Sequence, residues 1–307
     1  MTKVFIDGSA GTTGLRIADR LAQRKDIQVM TLSDELRKDP NARKDAICSA
    51  HVAFLCLPDD AARESVALAG DHGVKIIDTS TAHRTDPAWA YGFPELTGLR
   101  QKIENATRIA NPGCHASGFV ALVQPLVQTG IIKSDAALTC FSLTGYSGGG
   151  KKMIAQYEDP QRDPLLQAPR QYALTQQHKH LKEMVSLCQL QTAPVFCPIV
   201  ADFYSGMEVT VPLFAKDLTA DADTIRQLYK EYYAKGLVRY SDATDPDGML
   251  SAMAFSGRDD MQVGVFGNQE RILLTARFDN LGKGASGAAI QNMNIALGLD
   301  ETTGLNV

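Results

Sequence analysis

Of the six cysteines in this chain, Cys114 is the one whose neighbours suit covalent chemistry. It follows the turn-forming run Asn111-Pro112-Gly113 and precedes His115, Ser117 and an apolar stretch with helical spacing. A thiol at a helix N-terminus is stabilised as thiolate by the helix dipole and the unpaired amides, which makes it a nucleophile. Cys48, Cys56, Cys140, Cys188 and Cys197 have apolar or helical neighbours and read as buried small hydrophobes. None is spaced Cys-x-x-Cys and no secretion leader accompanies them, so reduced thiols in a cytoplasmic protein are expected.

Four other constellations offer chemistry. The cluster Gly8-Ser9-Ala10-Gly11-Thr12-Thr13-Gly14 follows an apolar strand and opens a helix, where a dinucleotide fold brings pyrophosphate onto free amides. Its Gly-x-x-Gly-x-x-Gly spacing predicts a wider turn than Gly-x-Gly-x-x-Gly. Near the end of the next strand, Asp34 suits a ribose hydroxyl, whereas Ser33, Arg37 and Lys38 suit a 2′-phosphate, and as a solvated loop these charges need no ligand. Arg84 leaves the strand end Asp78-Thr79-Ser80, placed either to fork a phosphate or carboxylate or to make a structural ion pair. The run Ser147-Gly148-Gly149-Gly150-Lys151-Lys152 reads as a flexible loop where an anion can rest, or as a plain hairpin loop.

His178 and His180 lie two apart, a spacing that shares no helix face, and no third ligand accompanies them, so no metal is expected. They read as a surface pair or as the source of one imidazole for Cys114.

The elements that must hold these residues are legible in outline. Strands at Lys3–Asp7, Gln28–Leu32, Val52–Leu57 and Lys75–Thr79 alternate with helices, among them Asp59–Ala69, which predicts a Rossmann-type doubly wound parallel sheet over residues 1–112. From 113 to 284 the pattern changes to an apolar helix over Phe119–Val127, interrupted by Pro125, and to strands such as Ala136–Leu143, Met207–Leu213, Met261–Phe266 and Arg271–Phe278. This is a mixed-sheet α+β domain. The small, apolar segment Gly284–Leu299 reads as a helix that packs back on the first domain, completing it with residues 285–307. A formal charge of −4 excludes a nucleic-acid or acidic-membrane footprint, and no apolar run reaches the length of a bilayer span.

The quoted glycine cluster, Leu57-Pro58-Asp59, Asp78–Arg84, Tyr91-Gly92-Phe93-Pro94-Glu95-Leu96, Asn111-Pro112-Gly113-Cys114 and Asn280-Leu281-Gly282-Lys283-Gly284-Ala285-Ser286-Gly287 resemble the short form of the N-acetyl-gamma-glutamyl-phosphate reductases. The resemblance covers nearly the whole chain. It implies a semialdehyde dehydrogenase-like fold and NADPH-dependent reduction of N-acetyl-L-glutamyl 5-phosphate to the 5-semialdehyde in arginine biosynthesis, by a cytoplasmic homodimer or homotetramer without a metal.

In that resemblance Cys114 matches the nucleophile and His180 the acid–base group. Longer members carry His-x-His-x-Pro-Glu, and Lys182 stands here where they have proline, so His178 remains the alternative. Arg84, Ser147 and Lys151 become expected substrate contacts. Gly8, Ala10, Gly11, Thr12, Thr13, Gly14, Ser33, Ser80 and Asn280 become expected NADP contacts. An aspartate-semialdehyde dehydrogenase-like or other acyl-phosphate reductase would use the same thiol chemistry. A non-catalytic NADP-binding module would bind the nucleotide and form no thioester.

Overall fold

The computed structural model describes all residues, 1–307. In chain order the elements are β1 (Thr2–Asp7), α1 (Thr12–Ala22), β2 (Ile27–Met30), α2 (Pro40–Ser49), β3 (Val52–Leu55), α3 (Asp59–Ala69), β4 (Lys75–Asp78), β5 (Ala90–Tyr91), α4 (Leu99–Asn105) and β6 (Arg108–Ala110). They continue with α5 (Cys114–Gln128), β7 (Thr139–Gly145), α6 (Gly150–Glu158), β8 (Arg170–Gln171), α7 (His180–Cys188), β9 (Val195–Ala201), β10 (Met207–Phe214), α8 (Ala222–Tyr232), β11 (Val238–Tyr240), β12 (Met261–Gly267), β13 (Arg271–Phe278) and α9 (Gly287–Ala296). The chain divides into two compact units, one of Met1–Pro112 with Ala285–Asn306 and one of Gly113–Gly284.

In the first unit six strands run in the order β2-β1-β3-β4-β6-β5, every pairing parallel. Alternation along β1 decides which helices cover which face. Val4 and Ile6 bury against Ile17 and Leu21 of α1 and Ile290 and Met293 of α9, while Phe5 packs with Ile47 of α2 and Ala62 of α3. A sheet buried on both sides needs helical crossovers, and the doubly wound expectation holds. Strand order reverses at β1, whose neighbours are β2 and β3, and ligands of open α/β sheets bind outside the strand ends at such a point.

Helix α2 was not anticipated from the charged stretch after β2. Its signal is Asp39-Pro40: the Asp39 carboxylate accepts from the Ala42 amide at 2.8 Å, and Pro40 occupies the first helical turn. From α2, Arg43 reaches Asp7 at the end of β1 at 3.2 Å, and Ser65 of α3 donates to the same carboxylate at 2.7 Å. This buried network fixes the strand end from which the glycine cluster departs.

The second unit is a seven-stranded mixed sheet, β11-β12-β13-β10-β7-β9-β8. β12 and β13 pair antiparallel as expected, β10 joins β13 and β7 antiparallel, and β7 and β9 run parallel. Helix α5 lies so near the sheet that a side chain at Gly118 would overlap Val209 and Phe278. Pro125 removes the amide that would serve the Ala121 carbonyl, and the Tyr233 hydroxyl donates to that carbonyl at 2.6 Å instead. The helix therefore continues past its proline to Gln128.

One expectation is corrected. Ser147–Lys152 is not a flexible loop: Tyr146–Gly149 forms a tight helical turn and α6 begins at Gly150. Met153 and Tyr157, just beyond the polar window, pack with Leu166 and Val200 and pull the segment into helix.

Candidate active site

Cys114 is the first residue of α5, fifteen residues long, and is partly exposed. The turn before it is held from both sides. The Gly113 amide donates to Glu183 Oε1 at 2.8 Å, and the Gly113 carbonyl accepts from the Ser117 amide at 2.8 Å and the Ser117 hydroxyl at 3.0 Å. Glu183, from α7, is buried and puts a carboxylate at the positive end of the nucleophile's helix. Behind the thiol runs the turn after β13. Buried Asp279 fixes it, accepting from the Leu281 amide at 2.6 Å, the Gly282 amide at 3.1 Å and the Ser205 hydroxyl at 2.9 Å. Gly284 then passes so near that a Cβ there would lie 2.9 Å from Cys114 Cβ.

The histidines are not a surface pair. His180 opens α7 with 5 % of its surface exposed, and its ring centroid lies 4.7 Å from that of His178 and 5.5 Å from that of His115. The face-sharing argument does not apply, because His178 precedes the helix. Its Nδ1 accepts from the His180 amide at 3.2 Å, and burial, helped by the Lys179 charge, pulls its pKa down to about 4. An imidazole tuned so low is unprotonated near neutrality.

His115, fully buried, is held neutral by burial, its pKa lowered to about 3. Its Nδ1 meets the Ser142 hydroxyl at 2.7 Å and its Nε2 the Tyr172 hydroxyl at 2.7 Å. Burial raises the pKa of Tyr172, and the Cys114 charge adds to the rise.

In the first unit the glycine cluster forms the turn from β1 to α1. Gly8 adopts φ +87°, and a Cβ there would strike the Cys56 carbonyl at the end of β3, so only glycine serves. At Gly14 a Cβ would lie 2.5 Å from the Gly8 carbonyl oxygen, whereas Gly11 has room. No acidic residue stands in the first turn of α1, no side chain caps it, and the buried Thr12 hydroxyl has no partner. An anion-accepting helix end with an unsatisfied hydroxyl fits a dinucleotide pyrophosphate. Ala10 and Ser33 are exposed. Asp34 pairs with Arg37 at 3.3 Å, which offsets the carboxylate that opposes a 2′-phosphate.

The remaining expected contacts, Lys151 apart, have internal partners. Arg84 donates from Nε to the Asn111 carbonyl at 2.9 Å and from Nη2 to the Thr79 carbonyl at 2.9 Å, bracketing the ends of β6 and β4. Ser80 donates to Asp78 at 2.7 Å, and His83 meets the same carboxylate at 2.7 Å while stacking on Trp89. In the second unit Asn280 donates to Ser147 Oγ at 3.0 Å and accepts from the Gly206 amide at 2.9 Å. Lys151 is exposed in the first turn of α6.

Sequence reasoning missed Glu183, Ser142 and Tyr172 and gave His115 no role. Glu183 had a signal, since it stands three residues after His180 on one helix. Ser142 and Tyr172 had none, because strand pairing and burial bring them to His115, the residue after the thiol.

Two family models match the chain: the semialdehyde dehydrogenase NAD binding domain over residues 4–106 and the semialdehyde dehydrogenase dimerisation domain over residues 114–280. A curated protein of Nostoc sp. named N-acetyl-gamma-glutamyl-phosphate reductase 2 is 46% identical, with 99% of each chain covered. The Rhizobium meliloti N-acetyl-gamma-glutamyl-phosphate reductase is 46% identical over 96% of this chain and 98% of its own. Among solved structures, aspartate semialdehyde dehydrogenase II of Vibrio cholerae superposes with a TM-score of 0.73 at 17% identity, covering 97% of this chain and 98% of that one. The Candida albicans aspartate semialdehyde dehydrogenase, solved with NADP, gives 0.68 at 16% identity over 96% of this chain and 98% of that one.

Proposed function

The chain belongs to the N-acetyl-gamma-glutamyl-phosphate reductase family, and we propose that it reduces N-acetyl-L-glutamyl 5-phosphate to the 5-semialdehyde with NADPH, through a thioester on Cys114. The observation that carries this reading is the placement of Cys114 at the start of α5, on a turn clamped by Glu183 and Ser117. Its Sγ attacks the acyl carbon, the carbon–oxygen bond to phosphate breaks, and inorganic phosphate leaves with the bonding pair. Bound NADPH supplies the hydride that the acyl carbon then accepts. His180 gives a proton to the oxygen of the tetrahedral adduct and takes it back as the carbon–oxygen double bond re-forms, the carbon–sulfur bond opens and the thiolate is regenerated.

We assign the pyrophosphate to the α1 N-terminus with Gly8, Ala10, Gly11, Thr12, Thr13 and Gly14, the 2′-phosphate to the Ser33 loop with Arg37, and further cofactor contacts to Ser80 and Asn280. The substrate's anionic groups are assigned to Arg84, Ser147 and Lys151. The identity levels favour this reading over an aspartate-semialdehyde dehydrogenase, to which the likeness is one of fold.

The protein is proposed to work in the cytoplasm as a homodimer or homotetramer, and no helix is long and apolar enough to cross a membrane. The face of the second unit's sheet that leaves Phe141, Val195, Phe214 and Leu273 exposed supports self-association, and Phe141, Phe214 and Leu273 line a groove there of about 900 Å³.

The test is Cys114→Ser, assayed in reverse with NADP, phosphate and N-acetylglutamate semialdehyde. Turnover should vanish while NADPH binding, read by fluorescence, persists. Substantial residual turnover rejects the thioester route.

A further inference from the structure

The Ser142–His115–Tyr172 chain, buried at Ser142 and His115, passes through the residue after the nucleophile and has no part in the steps above. A neutral imidazole carries one N–H, so one of its two hydrogen bonds must be donated to it. His115 is neutral across the working range, since burial lowers its pKa to about 3. Ser142 settles which bond is which. Its hydroxyl is fully buried and has His115 Nδ1 as its partner. Were Nδ1 to carry the proton, the Ser142 hydrogen would be buried without an acceptor, which its desolvation penalises.

Ser142 therefore donates to Nδ1, the His115 proton sits on Nε2, and Nε2–H donates to the Tyr172 oxygen. The Tyr172 hydroxyl, its oxygen already engaged, keeps its own hydrogen for another acceptor. Tyr172 is only partly buried, and it is held at 2.7 Å by the ring of His115, the residue that directly follows Cys114 in α5.

We propose that Tyr172 is a further catalytic residue, which donates a hydrogen bond to the acyl oxygen of the substrate on Cys114, with His115 and Ser142 as the positioning residues that aim it. The bond strengthens as that oxygen gains negative charge, first when Sγ adds to the acyl phosphate and again when the thioester is reduced, and the phenol proton stays on Tyr172 throughout. A chain of donors running from the core toward the reacting oxygen polarises the last of them. The proposal deepens the thioester reading and rests on it.

Tyr172→Phe in the full-length enzyme removes the hydroxyl alone. We expect kcat to fall on the order of 10²-fold, the usual cost of one oxyanion donor, with KM for the acyl phosphate and the affinity for NADPH little changed. Ser142→Ala should reproduce part of this loss, because nothing then fixes the His115 tautomer and the Tyr172 hydrogen is free to turn back onto Nε2. The double variant should be no slower than Tyr172→Phe, whereas two merely structural losses would multiply. Parent-like kcat in Tyr172→Phe overturns the proposal, and so does multiplication in the double variant. If thermal melting shows Tyr172→Phe unfolded, Ser142→Ala decides, parent-like turnover again overturning it. Cys114→Ser separates the two levels: activity there rejects the thioester reading itself, while an inactive Cys114→Ser beside a parent-like Tyr172→Phe rejects the tyrosine's role only.

Discussion

Gly284→Ala tests whether the turn behind the thiol sets the nucleophile's position. The backbone there accepts alanine, since Gly284 has no positive φ, so the consequence is steric. The new methyl would lie 2.9 Å from Cys114 Cβ, 3.1 Å from the Asp279 carbonyl oxygen and 3.3 Å from Phe278 Cε2. Carbons in ordinary contact sit ~3.5–4.0 Å apart, so Cys114 and residue 284 must separate by about 0.6–1.1 Å.

Neither side yields freely. Asp279 pins one through the amides of Leu281 and Gly282, and the bonds of Gly113 to Glu183 and Ser117 pin the other. Overpacking of this kind costs about 1–3 kcal/mol, which at this chain length lowers Tm by roughly 1.5–5 °C. A nucleophile misplaced by about 1 Å loses on the order of 10²-fold in rate. Steady-state kinetics, a melting curve and the rate of Cys114 alkylation by iodoacetamide are the assays, and kcat should fall much further than NADPH affinity. Parent-like kcat together with parent-like Tm would refute the reasoning, because the two anchored turns would then have shown room that the geometry denies.

His180→Ala should lower kcat by ~10²–10⁴-fold, with a smaller effect for His178→Ala, and the reverse ranking in steady-state assays assigns the acid–base role to His178. Arg84→Ala should cut kcat/KM roughly 30- to 1,000-fold, for a loss on the order of 2–4 kcal/mol, and Arg84→Lys should recover only part of it because an ammonium does not fork. A lowered Tm with unchanged kinetics would assign Arg84 wholly to the carbonyls of Asn111 and Thr79. Acid should destabilise the fold through His115, whose folded pKa of about 3 lies below the ordinary imidazole value of 6.5. The unfolded chain takes up a proton that the folded chain refuses, so this contribution is full above pH 6.5 and is lost as pH falls toward 3. At pH 5 the loss is about 2 kcal/mol, and denaturant unfolding of the parent between pH 7 and 5 should exceed that of His115→Gln by this amount. Equal losses in the two proteins would show that His115 is protonated as readily folded as unfolded.

What the sequence determined by itself is local. The alternation in β1 and the glycines after it specify a strand, a turn and a helix start, and Asn111-Pro112-Gly113-Cys114 specifies a turn that ends in a thiol at the head of α5. These rest on φ restrictions, side-chain period and helix-end chemistry within a few residues of chain. The tertiary structure decided what surrounds them. It turned the expected surface histidines into a buried cluster, gave Arg84 two main-chain partners, and replaced the Ser147–Lys152 loop with helix. It also brought Glu183 from α7 to the Gly113 amide, Gly284 from the turn after β13 to Cys114, and Ser142 of β7 and Tyr172 after β8 to His115. Burial and partner geometry arise from packing between elements distant in sequence. The tuning of His115 and the aim of the Tyr172 hydroxyl depend on that packing, since desolvation and a buried hydroxyl's need for an acceptor exist only once the sheet has formed.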